Sequence, residues 1–132
     1  MKKLSLILIC MVLVGCANGK RTIGDIPRST ESVTMEYGYS PENPIRVGDG
    51  DATNGPMNER IFLSSLRGPN GEKVSFNRLG SYCEFETPNG FLGGGLLDMY
   101  EVNYDGLAEP KILYLNMYDP GEIKPPRGFI LY

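Results

Sequence analysis

The stretch Lys111–Tyr118, KILYLNMY, decides the fold that the sequence predicts. Its side chains are large and nearly all apolar, without the regular polar positions of a strand that faces water on one side. A continuous run of this kind is typical of a strand with neighbours on both sides. We therefore expect residues 111–118 to form the central strand of a sheet.

Turn signals divide the chain on either side of this stretch. Glycine occurs with asparagine, aspartate or proline at residues 68–71, 87–90, 105–106 and 119–121, and such combinations mark turns. The segments between them are rich in β-branched and aromatic residues, as strands are. The predicted strands are a short one at 44–47, then 73–79, 81–86, 96–104, 111–118, and a last one at 128–132 that docks in the sheet.

One helix is predicted, at Pro56–Arg67. Asn54 and Gly55 precede it as cap-type residues, and Glu59 lies in its first turn, where the helix dipole favours a carboxylate. Adjoining helical rows give it one apolar side, formed by Met57, Ile61, Phe62 and Leu66. The predicted class is therefore α+β: an antiparallel sheet of four to six strands with one packed helix at about residues 56–67.

The amino-terminal segment predicts export. A positive start, Met1–Lys3, is followed by the apolar run Leu4–Val14, which is the pattern of a secretory signal peptide. The run is shorter than the roughly 20 residues that span a bilayer. Leu13-Val14-Gly15-Cys16 resembles the lipobox of bacterial lipoproteins. The resemblance implies cleavage between Gly15 and Cys16 and acylation of Cys16, with Cys10 discarded. The alternative is an ordinary signal peptide with an incidental cysteine.

Three regions follow from this interpretation: a signal peptide at 1–15, the lipidated cysteine with a flexible tether at 16–34, and a single α+β domain at 35–132. Ala17 follows the cysteine, and analogy with bacterial lipoproteins then favours the outer membrane. We expect a lipid-anchored protein of the cell envelope that faces the periplasm or the cell surface.

The composition narrows the function. The chain has 13 basic and 16 acidic residues, and loss of Lys2 and Lys3 leaves a net charge near −5, which argues against nucleic acid as a partner. There is no histidine, which removes Ser-His-Asp and Cys-His catalysis and the commonest zinc ligand. Cys83 is expected to be a small buried side chain rather than a reactive thiol, and we expect no cofactor.

A calcium loop is one candidate site. Asp49, Asp51 and Thr53 have the first, third and fifth spacing of such a loop. The sixth position is Asn54, where glycine is needed, and the twelfth is Arg60, where a bidentate glutamate belongs. A surface loop that leads into the helix therefore remains the favoured interpretation.

Tyrosines form the second candidate site. A phenol ring stacks and also forms a hydrogen bond, so Tyr100, Tyr104 and Tyr114 are candidate ligand residues, with a core or sheet position as the alternative. The glycine run in residues 91–96 lacks the Lys-Ser/Thr of a phosphate loop and predicts a bulge or a hairpin turn.

Four segments resemble a group of small exported proteins from Bacteroidota-type bacteria: YSPENPIRVG (39–48), NERIFLSSLRGPNGEKVSFNRLGS (58–81), TPNGFLGGGLLDMYEV (87–102) and ILYLNMYDPGEIKPPRGF (112–129). Members of this group often bear the name 2-dehydro-3-deoxyphosphooctonate aldolase. That name implies a (β/α)₈ barrel, which takes about 250 residues, and basic residues for phosphorylated substrates. The present chain is about half as long, and it is acidic after export.

The sequence therefore favours a membrane-anchored, non-enzymatic interaction or structural module whose partner is an unknown envelope protein. The alternatives are a lipoprotein that binds a small ligand or a glycan, and an enzyme of the kind that the aldolase name implies.

Overall fold

The computed structural model describes residues 36–132, which all lie within one compact unit. The predicted signal peptide, the cleavage and lipidation site at Gly15 and Cys16, and the tether lie outside the described residues. The described part is mostly sheet with one helix, which confirms the α+β class. No helix within residues 36–132 is long and apolar enough to cross a membrane.

A four-stranded sheet has the strand order β1-β5-β4-β3, and β2 pairs with β6 in a separate two-stranded sheet. The elements are β1 (Ile45–Arg46), α1 (Gly55–Ser65), β2 (Leu66–Arg67), β3 (Ser75–Phe91), β4 (Gly94–Asn103), β5 (Lys111–Asn116) and β6 (Ile130–Leu131). The predicted central strand is confirmed, since β5 lies between β1 and β4. The prediction that the carboxyl-terminal strand docks in the main sheet is wrong.

The main sheet is mixed, which corrects the predicted antiparallel sheet. β4 is antiparallel to both of its neighbours, β3 and β5. β1 runs parallel to β5, with Ile45 opposite Leu115. An antiparallel pair needs only a short turn, which leaves a local sequence signal, whereas a parallel pair needs a long crossover. The crossover here contains α1 and three strands, so no local pattern reveals the direction of β1.

β3 and β4 form a long hairpin. The strands predicted at 73–79 and 81–86 are one strand, β3, with register shifts after Arg78, Tyr82 and Glu86. The turn predicted at 87–90 falls at the last of these irregularities and does not end the strand. The chain reverses at Leu92 and Gly93, whose φ angles are 53° and 79°, as a two-residue hairpin of this kind requires. The hairpin turn predicted in the glycine run is confirmed.

α1 ends two residues before the predicted end, because the next two residues enter β2. Its buried residues are Gly55, Glu59, Phe62 and Leu63. Met57 and Ile61, which were expected on the apolar side, are 51% and 61% exposed. The buried side of the helix therefore differs from the predicted one and includes Glu59. A prediction based on apolar residues does not place a carboxyl group on the buried side.

The core lies between α1 and one face of the main sheet. It consists of Ile45, Val47, Phe62, Leu63, Leu66, Val74, Tyr100, Val102, Leu113, Leu115 and Phe129. Leu113 and Leu115 of β5 are fully buried on this face, whereas Ile112, on the same strand, is 43% exposed. Because side chains alternate along a strand, Ile112 and Tyr114 mark the opposite face, which we call the open face.

Candidate functional site

The structure does not bring the three candidate ligand tyrosines together. Tyr100 lies in the core, and its hydroxyl donates a hydrogen bond to Glu59 at 2.9 Å. Tyr104 packs edge-on against Phe129, with 5.6 Å between the ring centroids. Only Tyr114 lies on the open face. Tyr100 therefore occupies the core position that was the alternative interpretation, and the three tyrosines lie in different parts of the domain.

The calcium candidates lie in a series of tight turns that leads into α1. Asp49 accepts a hydrogen bond from the backbone N–H of Asp51 at 3.0 Å, and Asp51 accepts from the N–H and the hydroxyl of Thr53 at 2.9 and 2.7 Å. These bonds lower the pKa of both carboxyl groups. Asn54, at the N-cap, donates its amide to Asp49 at 3.0 Å, and its side chain accepts no capping hydrogen bond from the N–H groups of the helix. Within residues 36–132, no cluster of at least three His, Cys, Asp or Glu residues is arranged to hold a metal ion.

Four rings on the open face form a feature that we call the aromatic platform: Tyr82, Phe85, Tyr114 and Tyr118. They meet in two edge-to-face pairs. The centroids of Tyr82 and Tyr114 are 5.4 Å apart, and those of Phe85 and Tyr118 are 5.9 Å apart. Leu97, opposite Tyr82 in the register, is 4% exposed but lies outside the core cluster. The open face therefore has a small apolar layer of its own.

The aromatic platform reaches solvent. Tyr82 is 39% exposed, and its three companions are half-buried. Ile112, on the same face, adds exposed aliphatic surface. A tyrosine can bury its apolar ring against a partner while its hydroxyl remains in contact with water. An exposed apolar patch on a small domain is typical of a binding surface.

A hydrogen-bond network that we call the Asp119 clamp fixes the turn that carries Tyr118. The Asp119 carboxylate accepts hydrogen bonds from the Thr87 hydroxyl, from the Asn89 amide at 3.0 Å and from the Asn116 amide at 2.9 Å. Although burial raises the pKa of Asp119, these donors lower it below its ordinary value. The side-chain oxygen of Asn116 accepts from the backbone N–H groups of Tyr118 and Asp119 at 2.9 and 3.0 Å. The backbone that carries the Tyr118 ring is therefore fixed by these hydrogen bonds.

Gly95 leaves room for the Tyr118 ring on the sheet. A Cβ atom at position 95 would lie 2.7 Å from a ring carbon of Tyr118, closer than real contacts allow. The neighbouring Gly94 faces the other way, and a Cβ there would meet only the flexible end of Glu84, at 2.9 Å. The close approach therefore requires glycine at 95 but not at 94.

A polar cluster lies on the helix-covered face, where Glu59, Asp98 and Tyr100 are buried and the side chain of Arg78 is 48% exposed. Glu59 is fully buried, and its Oε1 has no hydrogen-bond partner within residues 36–132. Burial, and then the negative charge of Asp98, raises the pKa of Glu59 to about 8, so the group is protonated at neutral pH. Arg78 holds Asp98 with two bonds, at 2.8 and 3.1 Å. Because Glu59 and Tyr100 lie inside the core, we assign this cluster to stability.

One shallow depression of about 290 Å³ gathers charged residues at the edge of the domain. Lys124 lies over the ring of Tyr37, 4.9 Å from its centroid, and 3.6 Å from a carboxylate oxygen of Glu122. Besides this ion pair, the Glu42 carboxylate accepts a hydrogen bond from the Ser40 hydroxyl at 2.6 Å, so these charged groups already have partners within the domain. We therefore consider the aromatic platform, rather than this depression, the candidate binding surface.

The aromatic platform offers rings for stacking and phenol hydroxyls for hydrogen bonds. Sequence analysis had named Tyr114 but missed its three companions, and Cys83 is half-buried rather than fully buried. No protein-family model, curated protein or solved structure matches this chain.

Proposed function

We propose that this protein is a lipoprotein of the bacterial cell envelope, anchored through Cys16 in the outer membrane, and that its domain is a non-enzymatic interaction module. The module binds an envelope partner through the aromatic platform. The signal-like segment and the lipobox resemblance support the anchor. The platform is the observation that supports the binding role.

The contrast between the two faces of the sheet supports binding at the aromatic platform. One face is covered by α1 and is filled with apolar side chains, whereas the other carries four aromatic rings that α1 leaves uncovered. Aromatic residues are enriched where proteins bind partners, since they bury much area at little conformational cost. The Asp119 clamp reduces that cost further by fixing the backbone that carries one ring.

A non-enzymatic role is supported by the placement of the ionisable groups. Among the carboxyl groups of residues 36–132, only Glu59 has a strongly raised pKa, and it is enclosed in the core, where a substrate has no access. The described residues contain one helix, whereas the barrel implied by the aldolase name alternates eight strands with eight helices.

The anchor is tested by replacing each amino-terminal cysteine in turn. Cys16→Ser is expected to abolish incorporation of labelled palmitate and to stall maturation, because serine has no sulfur to carry the thioether-linked lipid. Cys10→Ser is expected to change neither, because residue 10 leaves with the signal peptide. Gel mobility and label incorporation in growing cells measure both effects. Label retained in Cys16→Ser would contradict the anchor.

The binding role is tested with the full acylated protein, purified in detergent and used to capture envelope components. We expect the wild type to retain a specific component and Tyr82→Ala to lose it, because the most exposed ring of the platform is removed. Met57→Ala is the matched control, since Met57 is 51% exposed on α1, away from the open face. Equal retention by both variants would count against the aromatic platform.

A further inference from the structure

We propose that the ligand of the aromatic platform is a neutral glycan chain of more than one sugar ring. This inference rests on the binding role proposed above and names the chemical class of the ligand. Three properties of the open face carry it: partly exposed aromatic rings, phenol hydroxyls that form no hydrogen bond within residues 36–132, and nearby carboxylates.

The ring geometry keeps the faces of one ring in each pair clear of its partner ring. The interplanar angles are 70° for Tyr82 with Tyr114 and 69° for Phe85 with Tyr118. In such an edge-to-face pair, the ring that contributes its edge keeps both of its faces clear of its partner. The C–H-rich face of a sugar ring packs on such a surface, while its hydroxyls remain at the rim.

The hydroxyl groups divide the tyrosines into two classes. Tyr37, Tyr39 and Tyr100 donate to the backbone oxygens of Glu122 and Arg127 and to the Glu59 carboxyl group, respectively. The platform hydroxyls of Tyr82, Tyr114 and Tyr118 form no hydrogen bond with any other residue in the range 36–132. They remain available to a ligand that carries many donors and acceptors, as a sugar does.

The charge around the aromatic platform selects against anions. Glu101 lies on the open face, opposite Ile112 in the register. Burial, followed by Tyr82 and the negative charge of Glu42, raises the pKa of the Tyr114 phenol. Arg46, the basic residue on the same face, lies near Asp119 and helps to lower the pKa of that carboxyl group. Carboxylates accept hydrogen bonds from sugar hydroxyls but repel phosphate, sulfate and uronate groups.

The dimensions of the platform favour an oligosaccharide over a single sugar. Tyr82 and Phe85, one from each ring pair, lie opposite Leu97 and Gly95, and two residues along a strand correspond to about 7 Å. Both ring pairs are held by the sheet, and the Asp119 clamp fixes the backbone that carries Tyr118. A chain that bridges the two pairs therefore stacks twice without first ordering the protein.

The test is titration calorimetry of the full acylated protein in detergent with neutral hexasaccharides of glucose, mannose and N-acetylglucosamine, and with a uronic acid hexasaccharide as the anionic counterpart. We expect saturable binding of at least one neutral hexasaccharide and weaker binding of the anionic one. Tyr82→Ala should weaken binding by about tenfold or more, and Tyr82→Phe by less, because the ring is kept. Gly95→Ala should weaken it by displacing the Tyr118 ring, whereas Gly94→Ala should not.

Absence of saturable binding to all three neutral hexasaccharides would overturn the inference, as would binding that Tyr82→Ala and Gly95→Ala leave unchanged. Thermal melts of each variant separate a lost contact from a lost fold. If Tyr82→Ala loses its envelope component while no hexasaccharide binds, the glycan inference fails and the interaction module stands. If capture of the envelope component does not depend on Tyr82, the proposed function itself fails.

Discussion

Replacing Leu113 by alanine is expected to lower the free energy of unfolding by about 2–5 kcal/mol. Leu113 is fully buried on β5, the inner strand between β1 and β4. Removal of its side chain leaves a cavity between the sheet and α1, where neighbouring side chains are too closely packed to fill it. Urea denaturation of the full chain in detergent, followed by circular dichroism, measures the loss.

The matched control is Ile112→Ala, one residue earlier on the same strand. Ile112 is 43% exposed on the open face, so its truncation is expected to cost about 1 kcal/mol or less. Equal losses at the two positions would contradict the assignment of a filled face and an open face.

The free energy of unfolding is also expected to fall by a few kcal/mol as the pH rises from about 5 to 8. Burial raises the pKa of Glu59 to about 8 in the folded protein, whereas the unfolded chain titrates near the ordinary value of about 4.3. The folded state therefore binds one proton more between these values. The stabilisation is fully present below the unfolded pKa and is lost as the pH rises through the folded pKa, at about 1.4 kcal/mol per unit.

The Glu59→Gln variant tests the source of this slope. Glutamine keeps the shape and can still accept the Tyr100 hydrogen bond, but it does not titrate, so the pH profile between about 5 and 8 should flatten. Glu101→Gln, an exposed carboxylate on the other face, should leave the slope unchanged. A slope that persists in Glu59→Gln would show that another group causes it.

The elements that depend on local pattern were predictable from the sequence. β5 was recognised because KILYLNMY is continuous in large side chains, and the reversal in the glycine run was recognised because only glycine-rich pairs form such turns readily. The start of α1 followed from Asn54, Gly55 and Pro56. Each of these signals lies within a few residues of the structure that it specifies.

The features that depend on distant contacts were not predictable. β1 pairs with β5 in parallel, and a long crossover, from Arg46 to Lys111, makes this pairing possible. β6 pairs with β2 rather than with a strand of the main sheet. Glu59 was placed in the first turn as a partner of the helix dipole, yet it is buried against Tyr100 and near Asp98. The sequence around a single glutamate does not indicate whether its side chain lies on the buried or the exposed side of a helix.

The aromatic platform shows the same limit. Tyr82 and Phe85 are three residues apart, and this odd spacing places them on opposite faces of a regular strand. The register shift between Tyr82 and Glu84 inserts one residue and brings both rings to the open face. Tyr118 lies beyond the end of β5 and is positioned by Asn116 and Asp119, which a strand pattern does not include.

The most direct test of the central claim, that the open face is the binding surface, is photo-crosslinking in living cells. A benzophenone-bearing residue, which reacts with C–H bonds of proteins and glycans alike, replaces Tyr82 in one strain and Met57 in another. Both positions are exposed, at 39% and 51%, but Met57 lies on α1. The account predicts a discrete light-dependent adduct from position 82 and none from position 57. No adduct at position 82, or the same adducts from both positions, would contradict it.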